Sequence, residues 1–200
     1  MAGPTKGERT RSRILDAAEK RFAKRGYSAT SLREIAAAAG LQQPGLYNHF
    51  ANKEALYAAV LDRALEPMAD ALEEHLSTDD ADAMAALPGV ITDHLCAHPH
   101  VASLFQQALD SDAKTAGDRL MRAWLDRLFD RGLRAARSAS ASRIDRAELA
   151  IWVLGMFHLC TGYFRSQRAF ARMAKGRLTD AANLARQKKM LARFAQASLP

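Results

Sequence analysis

The chain has 200 residues, with 41 Ala and 24 Leu against only four Val and five Ile, a balance that favours helices and excludes a large β-sheet. The net charge of +7 is unevenly spread. Residues 1–63 carry +5, residues 64–130 carry −9 and residues 131–200 carry +11, which suits a polyanionic partner without proving one. Two cysteines, Cys96 and Cys160, exclude a disulfide framework. With a hydrophilic start that lacks a signal-peptide pattern, they predict reduced thiols and a cytoplasmic protein. The longest apolar run, 149–164, falls short of the roughly 20 residues a spanning helix needs, so a buried helix and no membrane contact are expected.

In chain order, residues 1–8 read as a mobile arm, followed by a helix from about Thr10 to Arg25 with Ile14, Leu15, Ala18 and Phe22 on one face. Gly26 should end it as a left-handed cap, with Tyr27 folded back over the last turn. Ser31-x-x-Glu34 is a capping box that opens a short helix over 32–38, Gly40 breaks the pattern, and a third helix is predicted over 43–49, with Pro44 tolerated in its first turn. Asn52 caps a fourth helix carrying Leu56, Val60 and Ala64, which Pro67 is expected to kink or end near Leu65. After a polar break at 77–82, helices are predicted at about 83–97, 100–109, 115–136, 144–166 and 179–198, with a Ser/Ala linker over 138–142. The architecture expected is all-α, with about nine helices: a three-helix N-terminal domain over 1–52 and a helical domain over 53–200.

The segment over 31–49 has helix-turn-helix spacing. Small Ala36 lets two helices cross closely, Gly40 supplies a positive φ in the turn, and Ile35, Leu41 and Leu46 fill the space between. Around it stand Ile14, Leu15, Ala17, Ala18, Phe22, Gly26, Tyr27, Thr30, Ser31, Ile35, Ala36, Ala39, Gly40, Leu41, Leu46, Tyr47, His49, Phe50, Lys53, Glu54 and Leu56. In these residues, and in the run GLYNHFANKEALY, the stretch from Arg11 to Leu56 resembles the DNA-binding domain of the TetR family of bacterial transcriptional regulators.

The resemblance implies that the helix after the turn enters the major groove of double-stranded DNA. Gln42 and Gln43 then face the bases, where a Gln amide suits adenine, while Tyr47 and His49 donate to phosphates. Gln42, Gln43, Pro44 and Gly45 stand where the family often has Ser, Lys or Thr at the start of this helix, and Gly45 offers close backbone approach instead of a side chain. Thr30, Ser31 and Arg33, at the start of the preceding helix, and Lys53 are the expected backbone contacts, with Ser31 reading equally well as a purely structural cap. Arg9, Arg11 and Arg13 read equally well as further contacts or as solvated charge.

For the rest of the chain the resemblance implies a small-molecule effector site and a dimer. Wall candidates are His94, Phe105, Leu109, Trp124, Leu128, Trp152 and Met156, each also readable as ordinary core; the effector expected is apolar or aromatic. Seams at helical spacing, Ala147, Ile151 and Leu154 with Ala181, Leu184, Leu191 and Ala195, predict a four-helix dimer interface between two copies. Arg165, Arg168, Arg172, Lys175 and Arg177 are expected in a solvated connection between those helices.

His94 and His98 stand at i, i+4, a spacing that can serve one ion, whereas Cys96 points about 200° away. No resident metal, cofactor or catalytic group is expected, and the sequence has no Gly-rich phosphate loop or nucleophile motif for an all-helical enzyme. The function expected is a ligand-responsive repressor that binds a palindromic operator as a homodimer. A scaffold that keeps the helix-turn-helix without binding DNA is the remaining rival.

Overall fold

The structure, a computed structural model, describes residues 3–76, 83–109, 115–139 and 145–198. Among these residues there are ten helices and no strand: α1 (Lys6–Arg25), α2 (Leu32–Ala38), α3 (Gln43–Tyr47), α4 (Lys53–Leu76), α5 (Ala83–Ala97), α6 (Val101–Leu109), α7 (Ala116–Ala139), α8 (Arg146–Arg165), α9 (Gln167–Met173) and α10 (Ala181–Ser198). The expected linker over 138–142 falls partly in α7 and otherwise outside the described residues.

Contacts divide the chain into two compact units, Met1–Leu65 with Ser103–Trp124, and Glu66–Ala102 with Leu125–Pro200. The division expected after residue 52 follows the end of the DNA-binding motif. By packing, the first half of α4 and the later stretch 103–124 join the N-terminal helices.

In the first unit, α1 buries Ile14, Leu15, Ala18 and Phe22, α2 buries Ile35 and Ala36, α3 buries Leu46, and α4 adds Leu56, Tyr57, Val60 and Leu61. Leu104, Phe105 and Met121 are buried in the same unit. Phe22, Tyr27 and Tyr57 form an aromatic triad with ring centroids 4.8 to 6.0 Å apart. Gly117 lies so close to Tyr27 that a Cβ would overlap the ring. Gln107 Nε2 donates to the Ala23 carbonyl, 2.7 Å away, and so occupies one of the carbonyls left open at the end of α1. Arg63 on α4 donates to Asp16 Oδ1 (2.7 Å) and to Glu19 Oε2 (2.9 Å) on α1.

In the second unit, Ala85 and Leu87 of α5, Leu149, Trp152 and Met156 of α8 and Ala195 of α10 form one cluster. Trp152 Nε1 donates to Ser198 Oγ (3.1 Å), and Lys188 pairs with Asp93 (2.8 Å). These pairs set α10 antiparallel to both α5 and α8.

The structure corrects the sequence reading in six places. The first helix begins at Lys6, because Thr5 and Glu8 form a complete capping box; of the arm expected over 1–8, only residues up to Thr5 precede the helix. Gly26 has φ 79° but ψ 171°, so it ends α1 in a glycine-only region that is not the left-handed helical one. The third helix ends at Tyr47 and not at residue 49. Helix α4 does not end near Leu65 but continues past Pro67 to Leu76: the proline is exposed, leaving the Arg63 carbonyl without its helical donor on the wet side. Leu65, Met68 and Ala69 on either side of it are buried, which offsets the loss. Arg168 and Arg172 lie on the additional helix α9 and not in an irregular connection. Finally, α8 is not a buried helix: Ile151 is 72% exposed, Leu154 39% and Leu159 44%. It is long and apolar enough to cross a membrane by length and composition.

Candidate nucleic-acid interface

The turn between α2 and α3 is built by backbone geometry. Gly40 takes φ 69°, its N–H donates to the Ala37 carbonyl (3.1 Å), and the Leu41 N–H reaches back to the Ala36 carbonyl (2.9 Å). These two bonds are a Schellman motif, which closes α2 and turns the chain at once. With only five residues, α3 is too short to be stable alone. It is held by fully buried Leu46, by Pro44 in its first turn, and by the Phe50 and His49 N–H groups, which both donate to the Leu46 carbonyl.

That anchoring leaves the other face of α3 outward. Gln42, Pro44 and Tyr47 are exposed, and Gln43, Gly45 and His49 are half-buried. Gln42 is the N-cap residue but makes no side-chain cap bond. Gln43 Nε2 donates to the Tyr47 hydroxyl at 3.4 Å, one helical turn on, which aligns the two side chains. Arg11 sits 5.0 Å above the Phe50 ring, so α1 also directs a cation beside this face. Arg13, Lys20, Arg21 and Lys24 line a cleft of about 620 Å³ between α1 and the end of α2.

The four expected backbone contacts are each placed differently. Thr30 does not join the exposed face: it is 2% exposed, and its hydroxyl donates to the Gly26 carbonyl (2.8 Å). Its role is to lock the α1–α2 corner. Ser31 is exposed, but its N–H and hydroxyl both donate to Glu34 Oε2 (3.1 Å each), so the start of α2 is capped from within. Those bonds, reinforced by Arg25 at 2.7 Å, hold the Glu34 carboxyl below its usual range. Arg33 is the exposed cation on that helix. Lys53 is anchored: its ammonium lies 4.4 Å over the Tyr27 ring and donates to the Ser28 carbonyl (3.3 Å), and burial lowers its pKa. An ammonium has three donors, so this one is positioned with two N–H groups to spare.

The candidate effector wall divides between the two units. Phe105 is fully buried in the first. Trp152 and Met156 are packed in the core cluster of the second, where His94 is half-buried. The side chains of Leu109, Trp124 and Leu128 lie outside the described residues. Sequence reasoning missed Arg63, Gln107 and Gly117, which meet α1 and Tyr27 in the same unit. Gln107 bonds a residue 84 positions away, and no local pattern signals it.

The sequence profile described as "Bacterial regulatory proteins, tetR family" matches residues 14–60. Residues 14–60 belong to that family. The HTH-type transcriptional repressor ComR of Escherichia coli K12 is 42% identical over 77 residues, which is 38% of this chain and 37% of ComR. The chain spans less than half the length of the curated relatives it matches. A putative fatty acid metabolism regulator from Clostridium perfringens has a solved structure that superposes with a TM-score of 0.73 at 18% identity, covering 94% of this chain and 98% of that one. A SmeT–triclosan complex superposes with a TM-score of 0.63 at 24% identity, covering 94% and 90%. These two likenesses establish a shared all-helical fold beyond the TetR-family domain.

Proposed function

We propose that the chain is a DNA-binding transcriptional regulator, cytoplasmic and homodimeric, that represses from a palindromic operator and is released by a small apolar or aromatic effector. The observation that carries this reading is α3. It is a five-residue helix pinned by Leu46, with Gln42, Gln43 and Tyr47 on its outer face and Arg11 over the Phe50 ring that follows it. A helix so short and so polar on its outer face contributes little to stability, and its form suits insertion into a major groove. Gln42 and Gln43 read base edges, Tyr47, His49, Arg33 and Lys53 hold phosphates, and Pro44 and Gly45 allow close backbone approach.

Dimerisation is supported by the apolar residues that the second unit leaves in water. Ile151, Leu154 and Leu159 on α8 and Met190 and Phe194 on α10 are all more than a third exposed. The α10 seam expected at Leu191 and Ala195 is revised to Met190 and Phe194, because Leu191 and Ala195 are buried within the protomer. An isologous four-helix contact would cover this surface and set two recognition helices on a two-fold axis. Effector response is supported by the fold shared with the triclosan complex, and a coupling of about 1–3 kcal/mol would weaken operator binding five- to over a hundredfold.

The test is selection of DNA from a genomic pool by the purified full chain at about 150 mM salt, followed by footprinting. An inverted repeat with half-sites about 34–36 Å apart, bound with a steep salt dependence, supports the reading. Failure to enrich any sequence, with effector removed by refolding, overturns it.

A further inference from the structure

Eight of the 20 residues of α1 are cations and three are acids, and the acids are all engaged away from the cleft between α1 and α2. Glu8 accepts from the Thr5 N–H (2.6 Å) at the start of the helix, and Asp16 and Glu19 both accept from Arg63 of α4. Of the cations, Arg25 pairs with Glu34 and Arg11 lies over Phe50. Arg13, Lys20, Arg21 and Lys24 pair with no acid among the described residues. They line the cleft against Ala38, Ala39 and Gly40, the residues that turn the chain from α2 into α3. Arg13, Lys20 and Lys24 are exposed on one stripe of α1, and Arg21 is half-buried, its Nε buried and without a hydrogen-bond partner. The facing wall is low: a Cβ at Gly40 would meet nothing within 4 Å. The Ile35, Ala36 and Ala37 carbonyls already accept from the Ala39, Gly40 and Leu41 N–H groups, which blunts the negative end of α2.

We propose that this cleft is a second seat for duplex DNA, holding backbone phosphates beyond those that α3 meets, an inference that rests on the DNA-binding reading. From Arg13 to Lys24 the helix rises about 17 Å, whereas one DNA strand presents a phosphate about every 3.4 Å of duplex axis. A row of cations that long complements a linear polyanion better than a compact anion. The cleft is also continuous with α3. Gly40 stands two positions before Gln42, and Arg13 two positions after Arg11, whose guanidinium lies over the Phe50 ring. Arg21 offers a planar fork of donors to a phosphate, and Lys20 and Lys24 act as point charges beside it. Contacts of this kind go to phosphates alone, so the seat adds affinity and salt dependence without changing which bases are read.

The test is fluorescence anisotropy of a mixed-sequence duplex of about 40 base pairs, titrated with the full chain between about 50 and 250 mM KCl, so that no operator is needed. K20Q/R21Q/K24Q should weaken binding roughly tenfold or more and flatten the slope of log affinity against log salt by about two to three per bound chain. K20Q/K24Q, which spares half-buried Arg21, should flatten it by about two. R168Q/R172Q/K175Q on α9 removes the same charge as the triple cleft variant but away from the cleft, and should leave the slope unchanged. Cleft variants with the unmodified slope, or an α9 variant with the same loss, overturn the proposal and leave the operator reading standing. No binding of the duplex by the unmodified chain at the lowest salt overturns both. Circular dichroism melts of each variant guard against loss of fold.

Discussion

Tyr47 presents 49% of its surface to solvent while its neighbour Leu46 presents none, and that contrast between adjacent residues separates the outward side chain of α3 from the one that anchors it. Tyr47→Ala should leave the thermal melt unchanged and cost roughly 1.5–3 kcal/mol of operator affinity, the worth of a hydrogen bond to a charged phosphate. Fluorescence anisotropy on the selected site reads it. The two cysteines differ in the same way. Cys160 is fully buried, and burial pushes its thiol up to about 12, whereas Cys96 is partly accessible. Ellman's reagent at pH 8 should therefore label one thiol per native chain and two in denaturant. Glu34 supplies a pH test. Its folded pKa lies below the usual 4.5, so its share of stability is complete above 4.5 and disappears as the pH falls through the lowered value. Its carboxyl carbon should titrate with a midpoint below 4.5 by NMR, and Ser31→Ala should return the midpoint toward 4.5.

At the level of elements, two capping boxes of the same chemistry were not equally legible. Ser31-x-x-Glu34 stands between an obvious glycine break and an apolar run. Thr5-x-x-Glu8 stands among polar residues that look like an arm, although the bonds it makes are of the same kind. The positive φ of Gly40 followed from spacing alone, because only one turn fits between α2 and α3. At Pro67 propensity allowed either a kink or an end, and the end is excluded because residues buried on both sides of the proline carry the helix on to Leu76. Pro67→Ala should restore the missing N–H to the Arg63 carbonyl and raise stability by up to about 3 kcal/mol, visible as a higher urea midpoint. The salt bridges of Arg63 were invisible in sequence because their partners on α1 lie 44 and 47 positions away. Arg63→Ala leaves Glu19, only 11% exposed, without its cation, and should lower stability by about 1–3 kcal/mol. The double variant with Glu19→Ala should cost less than the sum of the two single changes.

For the whole molecule, periodicity showed which residues are apolar but not which surface covers them. On α10, Leu191 and Ala195 face the protomer's own core while Met190 and Phe194, one position before each, face water. A helix with apolar residues at adjacent positions carries two seams, and only the packed structure says which is spent. If the proposed dimer forms, Phe194→Asp should leave a monomer in light scattering and, by removing the second half-site contact, reduce operator affinity far more than it changes the melt of the chain. The assignment of 103–124 to the first unit was equally hidden, since Gln107 and Gly117 meet Ala23 and Tyr27 only after the chain has passed through the other unit.

That return has a consequence for how the protein is made. The unit that carries α3 cannot finish folding when residue 65 leaves the ribosome, because its last partners extend to residue 124. At about 5–20 residues per second, the nascent helices wait roughly 3–12 s for them. For that interval Tyr27 lacks Gly117 and the end of α1 lacks Gln107, so a synthesis intermediate would carry α3 on helices still short of their finished packing.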